Sequence, residues 1–341
     1  MPEVLDVFSG DAFSFISLTA SINKIPFVPG RLGSMGLFQA RPVATTKIAI
    51  EEVAGQLSLV APSPRGGPGE TRPKQSRNAR VLNVPHYQLD DNILADEVQG
   101  VREAGLNMGM RTIDTYLSGR MALFTANLDA TTEHQRIGAI KGLILDRDGN
   151  TIYDLFDEFQ VEPEAPVNFA LSSAGTKVRG KCTQVVRTMA KNLGGVGFLG
   201  VYALAGDEFW DLLVDHDEVR ETYKFQEGRA LREGVAFQTL NFGGITFENY
   251  KGWVGGFDGS PLVPFVEPNE CRFFPIGVPN LFQTYFAPAD YQETVNTLGL
   301  PRYAKSVPSD NGKSTRLEMQ TNPLSICTRP RVLMKGTKTG S

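Results

Sequence analysis

Gly195-Val-Gly-Phe-Leu-Gly200 has the G-x-G-x-x-G spacing with which a glycine-rich turn admits a dinucleotide pyrophosphate. That chemistry needs a strand before the glycines and a helix after them, so that the helix N-terminus receives the charge. Here a helical pattern precedes and the β-like Val201-Tyr-Ala-Leu follows, so the glycines are expected to end a helix and allow tight packing. Asp146-Arg-Asp-Gly-Asn150 has the composition of a calcium loop, but its glycine falls two places early and no glutamate closes the twelfth position. A hairpin turn is the expectation there. His86, His134 and His216 are the only histidines, and none has a partner at a metal-binding spacing. Asp215-His216-Asp217-Glu218 reads as a helix start with carboxylates near the positive end of the dipole. No G-x-S-x-G, P-loop or H-E-x-x-H sequence occurs. The sequence predicts no catalytic, cofactor-binding or metal site, and no enzyme.

Cysteine usage points the same way, since Cys182, Cys271 and Cys327 lie far apart without a C-x-x-C pair. Neither a disulfide framework nor a zinc cage is implied, and a reducing cytoplasm fits. The N-terminus carries acid where a secretory signal carries base. The most apolar run, Val196 to Ala205, is far below the ~20 residues that span a bilayer. With 341 residues, 41% hydrophobic and 21% charged, the chain can bury a large core in one or two domains. A formal charge of -4 argues against a dedicated nucleic-acid binder.

The elements that position these residues begin with a ribbon. Alternating apolar segments, Lys47 to Val60 and Val81 to Leu89, flank a tip rich in Pro, Gly and basic residues, Ala61 to Arg80. Each arm spans roughly 30–45 Å at about 3.3 Å per residue. A lone two-stranded ribbon is marginal in water, so something else must cover it. Arg65, Arg72, Lys74, Arg77 and Arg80 concentrate positive charge at the tip and are expected to contact carboxylates of a partner. Before the ribbon lies an N-terminal arm in which Phe13, Phe15, Ile16 and Leu18 suggest one short helix.

After the ribbon, Asp90-Asp91-Asn92 is expected to cap a short helix through Ile93, Leu94, Val98 and Val101. Thr112 to about Lys141 reads as one long amphipathic helix with Ile113, Leu117, Met121, Phe124 and Leu128 on its buried stripe and Arg120, Asn127 and Asp129 opposite. A hairpin follows, Leu143-Ile-Leu with Thr151-Ile-Tyr153, which sets an α+β layer. From Pro166 the pattern predicts helix Lys177 to Leu193, strand Val196 to Ala203, helices Asp207 to Val214 and Val219 to Arg232, and strands from Val235 to Trp253 broken at Gly243-Gly244. Arg316 to Lys335 reads as strand material returning to the first layer.

Three segments carry a resemblance: Asp96-Glu-Val-Gln-Gly-Val-Arg102, the run Phe274-Pro-Ile-Gly-Val-Pro-Asn-Leu-Phe-Gln-Thr-Tyr-Phe-Ala-Pro-Ala-Asp290, and the ending Gln320-Thr-Asn-Pro-Leu-Ser-Ile-Cys-Thr-Arg-Pro-Arg-Val-Leu333. In this order they resemble the major capsid protein E family of lambda-like tailed phages, over most of the chain and most clearly near its end. The resemblance implies the Hong Kong ninety-seven type capsid fold, an α+β fold. It divides the chain into an N-terminal arm (1–40), an extended loop (41–89), a peripheral domain with a long spine helix (90–165), an axial domain (166–306) and a return to the peripheral domain (307–341).

The resemblance further implies a major capsid protein whose copies assemble into hexamers and pentamers of an icosahedral head around double-stranded DNA. The ribbon would lie over a neighbouring subunit, which covers its strands. A portal, a scaffold and a decoration protein are the implied partners besides the chain itself, with no membrane and no sequence-specific DNA contact. Assembly is expected in the host cytoplasm, ending in the virion. Head expansion, with the helix and loop changing angle, is also part of what the family implies. Two rival readings are a same-fold cellular nanocompartment shell, which would carry cargo and no DNA, and a nicotinamide-dependent enzyme, which would need a strand before Gly195.

Overall fold

The computed structural model describes residues 30–52, 78–94, 97, 113–224, 239–254, 263–310 and 313–339. The short helix expected around Phe13 to Leu18 lies outside them, as does the ribbon tip apart from Asn78, Ala79 and Arg80. In chain order the first elements are α1 (Arg31–Ser34), β1 (Gln39–Pro42), β2 (Lys47–Glu52), β3 (Asn78–Asn83), β4 (Tyr87–Leu94) and α2 (Ile113–Lys141). Next come the hairpin β5 (Leu143–Leu145) and β6 (Thr151–Asp154), then α3 (Leu155–Glu158), β7 (Val167–Asn168), α4 (Val178–Leu193), β8 (Gly200–Ala205), α5 (Asp207–Asp215) and α6 (Asp217–Lys224). The remainder is strand: β9 (Thr239–Phe242), β10 (Ile245–Asn249), β11 (Trp253–Val254), β12 (Val263–Pro264), β13 (Glu270–Ile276), β14 (Phe282–Phe286), β15 (Tyr303–Pro308), β16 (Ser314–Thr321), β17 (Pro323–Cys327) and β18 (Met334–Thr337).

Two compact units share the chain, Met1–Ile48 with Val81–His134 and Gln283–Ser325 in the first, and Ala49–Arg80 with Gln135–Phe282 and Ile326–Ser341 in the second. In the first unit an antiparallel sheet runs β15-β16-β4, with Tyr87 to Leu94 paired against Thr321 to Ser314. The helix expected after Asp90-Asp91-Asn92 is therefore a strand as far as Leu94: Asp91 stands opposite Leu317 and Ile93, 2% exposed, opposite Thr315. Pairing with β16 outweighs the local capping preference of three Asx residues. Parallel pairing of β1 with β14, Gln39 opposite Gln283 through Pro42 opposite Phe286, makes a second sheet with β17.

The ribbon base is β2 paired with β3. Ile48 and Ile50 are buried at 4% and 6% exposure with Ala49 exposed between them, the alternation expected of a one-faced strand. The second arm is not continuous to Leu89. Val84-Pro85-His86 separates β3 from β4, because Pro85 has no N–H to give a ladder and the chain there turns to a different partner.

Among the helices, α2 departs most from expectation. Met121, Thr125 and Leu128 form a buried stripe at helical spacing, with Ala122 and Leu123 exposed. From Leu128 onward the stripe dissolves: Asp129, Thr132, Glu133, Gln135, Arg136, Ile137, Ala139 and Ile140 are all buried. Asp129 is thus not on a solvent face. Thr125 and Thr132 satisfy their hydroxyls by donating to the carbonyls of Met121 (2.7 Å) and Leu128 (3.0 Å).

The second unit is built on a mixed sheet in the order β7-β18-β13-β8-β10-β9. Its core stacks Phe169 on Phe273 with ring centroids 5.6 Å apart, while Phe209 and Phe247 meet this pair edge-on. The helix α4 buries Val178, Cys182, Val185, Met189 and Leu193, one stripe at spacings of three and four. Gly243 (φ 61°) and Gly244 (φ 82°) close the β9–β10 hairpin in the left-handed region, where glycine alone is unstrained. The strand expected from Val196 begins only at Gly200, because Gly194 and Gly195 both take positive φ. Of the segments expected to return to the first layer, β16 does so, whereas β18 lies between β13 and β7 in the second unit's sheet. The predicted second half of helix Val219 to Arg232 lies outside the described residues beyond Lys224.

Candidate functional site

The residues with chemical potential are occupied by folding. At the glycine motif, α4 ends on Gly194 (φ 64°), whose N–H donates to the carbonyl of Lys191. The motif therefore follows a helix C-terminus, whose partial charge is negative and repels a pyrophosphate. Asp146 accepts from the amides of Asp148 (2.9 Å) and Asn150 (2.8 Å) and from Asn150 Nδ2 (2.9 Å). Those bonds, the Asn150 side chain first, hold its carboxyl below the usual range and make it the hub of a turn. His86 Nδ1 lies 2.9 Å from Asn322 Oδ1, and His216 Nε2 lies 3.3 Å from the carbonyl oxygen of Ser173.

Burial pushes the thiols of Cys182 and Cys327 up to about 12 and raises Cys271 as well, so the protonated form dominates at neutral pH. Glu270, 2% exposed, accepts from Arg272 Nε (3.1 Å) and Nη2 (2.7 Å) and pairs with Lys335. Burial acts to raise this carboxyl, but the Arg272 and Lys335 charges hold it low. The same burial, then the Arg272 charge, lowers nearby Lys141. Among the described residues no group of three His, Cys, Asp or Glu side chains is placed to hold a metal ion, and no helix is long and apolar enough to cross a membrane.

Two carboxylates on α2, which the sequence reading missed, fasten remote segments of the first unit. Asp129 receives Arg302 through Nε (3.1 Å) and through Nη2 to both oxygens (2.8 Å each), with both side chains almost wholly buried. One turn later, Glu133 accepts from the amides of Leu32 (2.6 Å) and Gly33 (3.1 Å), the free donors at the start of α1. Gly30 makes room for it, since a Cβ there would stand 2.3 Å from Glu133 Cγ. An acid four residues from another in a helix was the only sequence signal, and it does not name partners 100 to 173 residues away.

Of the five tip cations, Arg65, Arg72, Lys74 and Arg77 lie outside the described residues. Arg80 belongs to β3, and its guanidinium carbon sits 5.1 Å from the centroid of the Phe159 ring. It is a cation–π partner at the base of the ribbon. Several large apolar side chains face outward instead: Leu199 (86%), Val295 (66%), Leu298 (62%) and Trp253 (49%).

Long-range β pairing, a long helix buried along its second half and closed polar clusters characterise the described residues. The sequence pattern described as phage major capsid protein E matches residues 14–338. The chain belongs to that family. The major capsid protein of Pseudomonas phage KPP10 is 27% identical over 340 residues, 95% of this chain and 96% of that one. In solved structures, a prophage protein of E. coli CFT073 superposes with a TM-score of 0.61 at 16% identity, covering 96% of this chain and 99% of that chain. A chain of the bacteriophage PhiM1 mature capsid gives 0.51 at 12% identity, covering 88% and 84%. The fold is the Hong Kong ninety-seven type, as the resemblance implied.

Proposed function

We propose that the chain is the major capsid protein of a tailed phage, many copies of which close into hexamers and pentamers of an icosahedral head around double-stranded DNA. The observation that carries this is the family match along residues 14–338. In this reading residues 1–40 are the N-terminal arm, 41–89 the extended loop, 90–165 the peripheral domain with α2 as spine helix, and 166–306 the axial domain. The tail 307–341 is shared, β16 with the peripheral part and β18 with the axial part. Portal, scaffold and decoration proteins are the further partners of this proposal, and the host cytoplasm is its place of assembly.

Arg65, Arg72, Lys74 and Arg77 meet carboxylates of a neighbouring copy in this proposal, while Arg80 at 5.1 Å from the Phe159 ring centroid fastens the ribbon base. Reversing Arg65, Arg72, Lys74 and Arg77 to Glu leaves subunits soluble and impairs closure; normal shells from that variant refute the docking role. The assembly reading itself is tested by light scattering and negative-stain microscopy of the purified chain expressed alone. Closed shells or ring-like capsomers are expected, and a monomer at every concentration overturns it. DNA in shells isolated from infected cells separates a phage head from a cargo-holding compartment.

A further inference from the structure

The exposed side of α2 is unlike a solvent face. From Ser118 to Ala130 the exposed positions are Ser118, Gly119, Ala122, Leu123, Ala126 and Ala130, with Leu123 at 56% exposure, and none of them carries a charge. A helix that meets water on one side places charged residues there. The two charges of this stretch are drawn elsewhere, Arg120 to Asp91 and Glu97, and Asp129 to buried Arg302. At about 100° per residue, Gly119, Ala122, Leu123, Ala126 and Ala130 share an arc of roughly 100°, and Glu133 falls on the same arc about two turns beyond Ala126. The row Ser118, Ala122, Ala126, Ala130 is a packing ridge flattened to small side chains, so a second element can approach closely and meet Leu123 beside it.

Where this face continues, the chain already covers it. At Glu133 the start of α1 lies on it: the amides of Leu32 and Gly33 donate to the Glu133 carboxylate at 2.6 and 3.1 Å, and a Cβ at Gly30 would stand 2.3 Å from Glu133 Cγ. The residues before Gly30 therefore leave from the flank of α2, about 15 Å along its axis from Leu123. Among them, Ala12-Phe-Ser-Phe-Ile-Ser-Leu-Thr-Ala-Ser-Ile-Asn23 carries no charge and holds five large apolar side chains, Phe13, Phe15, Ile16, Leu18 and Ile22. From Gly30 back to Leu18 the chain can span up to about 40 Å at about 3.3 Å per residue, more than the distance requires. Tethered at Glu133, this segment meets the open face at an effective concentration on the order of millimolar, which a second copy or a separate partner would have to exceed. Reach, tether and matching lack of charge thus select the chain's own arm.

We propose that residues 12–23 dock on this face of α2 within the same chain, covering Ala122, Leu123 and Ala126. The three native cysteines are buried, so introduced thiols are the reactive ones. In the full chain carrying Ser17→Cys and Ala126→Cys, kept dilute and unassembled, a short bismaleimide is expected to join residue 17 to residue 126 within one monomer, read as a cross-linked peptide by mass spectrometry and a monomer band on a denaturing gel. Absence of that peptide overturns the proposal. A dimer band in its place overturns it too, since the face then belongs to a second copy. The single variant A126C is expected to react slowly with a maleimide, and adding Phe13→Ser, Phe15→Ser and Ile16→Ser is expected to quicken labelling about tenfold, equivalent to about 1.4 kcal/mol of lost contact. An unchanged rate overturns the proposal. Both measurements use unassembled subunits, so their failure is separate from failure of the capsid reading, which closed shells or their absence decide.

Discussion

Replacing Arg302 by Met takes the Arg302 guanidinium from Asp129, whose side chain is only 5% exposed. Three bonds disappear together, one from Nε and two from Nη2. Removing one partner of a buried ion pair costs about 3–5 kcal/mol, mostly because the remaining charge is stranded away from water. Unfolding entropy of about 2.1 cal/mol/K per residue gives roughly 0.7 kcal/mol/K for a chain of 341 residues, so the melting temperature falls by about 4–7 °C if the chain melts in one transition. The measurement is calorimetry on unassembled subunits at fixed concentration, since assembly adds stability by mass action. Adding Asp129→Leu to Arg302→Met removes the stranded charge and should recover most of the loss. A single variant melting within about 1 °C of wild type, or a double variant showing simple additivity, refutes the reasoning.

Three further outcomes follow from local geometry. Thiols held up to about 12 when folded, against an ordinary 9.0, lend stability that is complete below pH 9 and is lost as pH rises towards 12, by up to about 1.4 kcal/mol per pH unit for each of Cys182 and Cys327; urea midpoints should fall between pH 8 and pH 10, and a flat profile contradicts this. Gly30→Ala drives the Glu133 carboxylate off the amides of Leu32 and Gly33, at a cost of about 1–3 kcal/mol, so hydrogen exchange at those two amides should quicken by on the order of tenfold to a hundredfold, and unchanged protection counts against the cap. Ala at Gly244 meets open space and only backbone strain of about 1 kcal/mol, whereas Ala at Gly243 also drives a Cβ to 2.5 Å from Cys182 Cβ, roughly 2–4 kcal/mol in total; equal melting shifts would exclude that clash.

What was legible in the sequence was local. The β5–β6 hairpin around Asp146, the stripe of α4 and the Gly243-Gly244 turn each follow from residues within one element, and each is where the pattern put it. The misses share a cause in distance along the chain. Asp90-Asp91-Asn92 carries the local signature of a cap, yet its fate is decided by β16, which meets it across more than two hundred positions. Asp129 and Glu133 look like solvent-side acids because the partners that bury them, Arg302 and the amides of Leu32 and Gly33, lie 173 and about 100 residues away. Pro85 was a readable signal for the break between β3 and β4, since a residue without an N–H interrupts a ladder.

Long-range closure also occupies several groups whose chemistry could serve a reactive centre. The buried thiols are held protonated, Glu270 is spent on Arg272 and Lys335, Asp129 on Arg302, Glu133 on α1, and Asp146 on its own turn. Each of these carboxylates is committed to a contact that holds the fold. At the surface, Val295, Leu298 and Leu300 stand exposed on a loop tied by bonds from Thr294, Thr297, Gly299 and Leu300. A shell subunit needs polar groups closed inward for rigidity and apolar side chains turned outward where a neighbour will cover them.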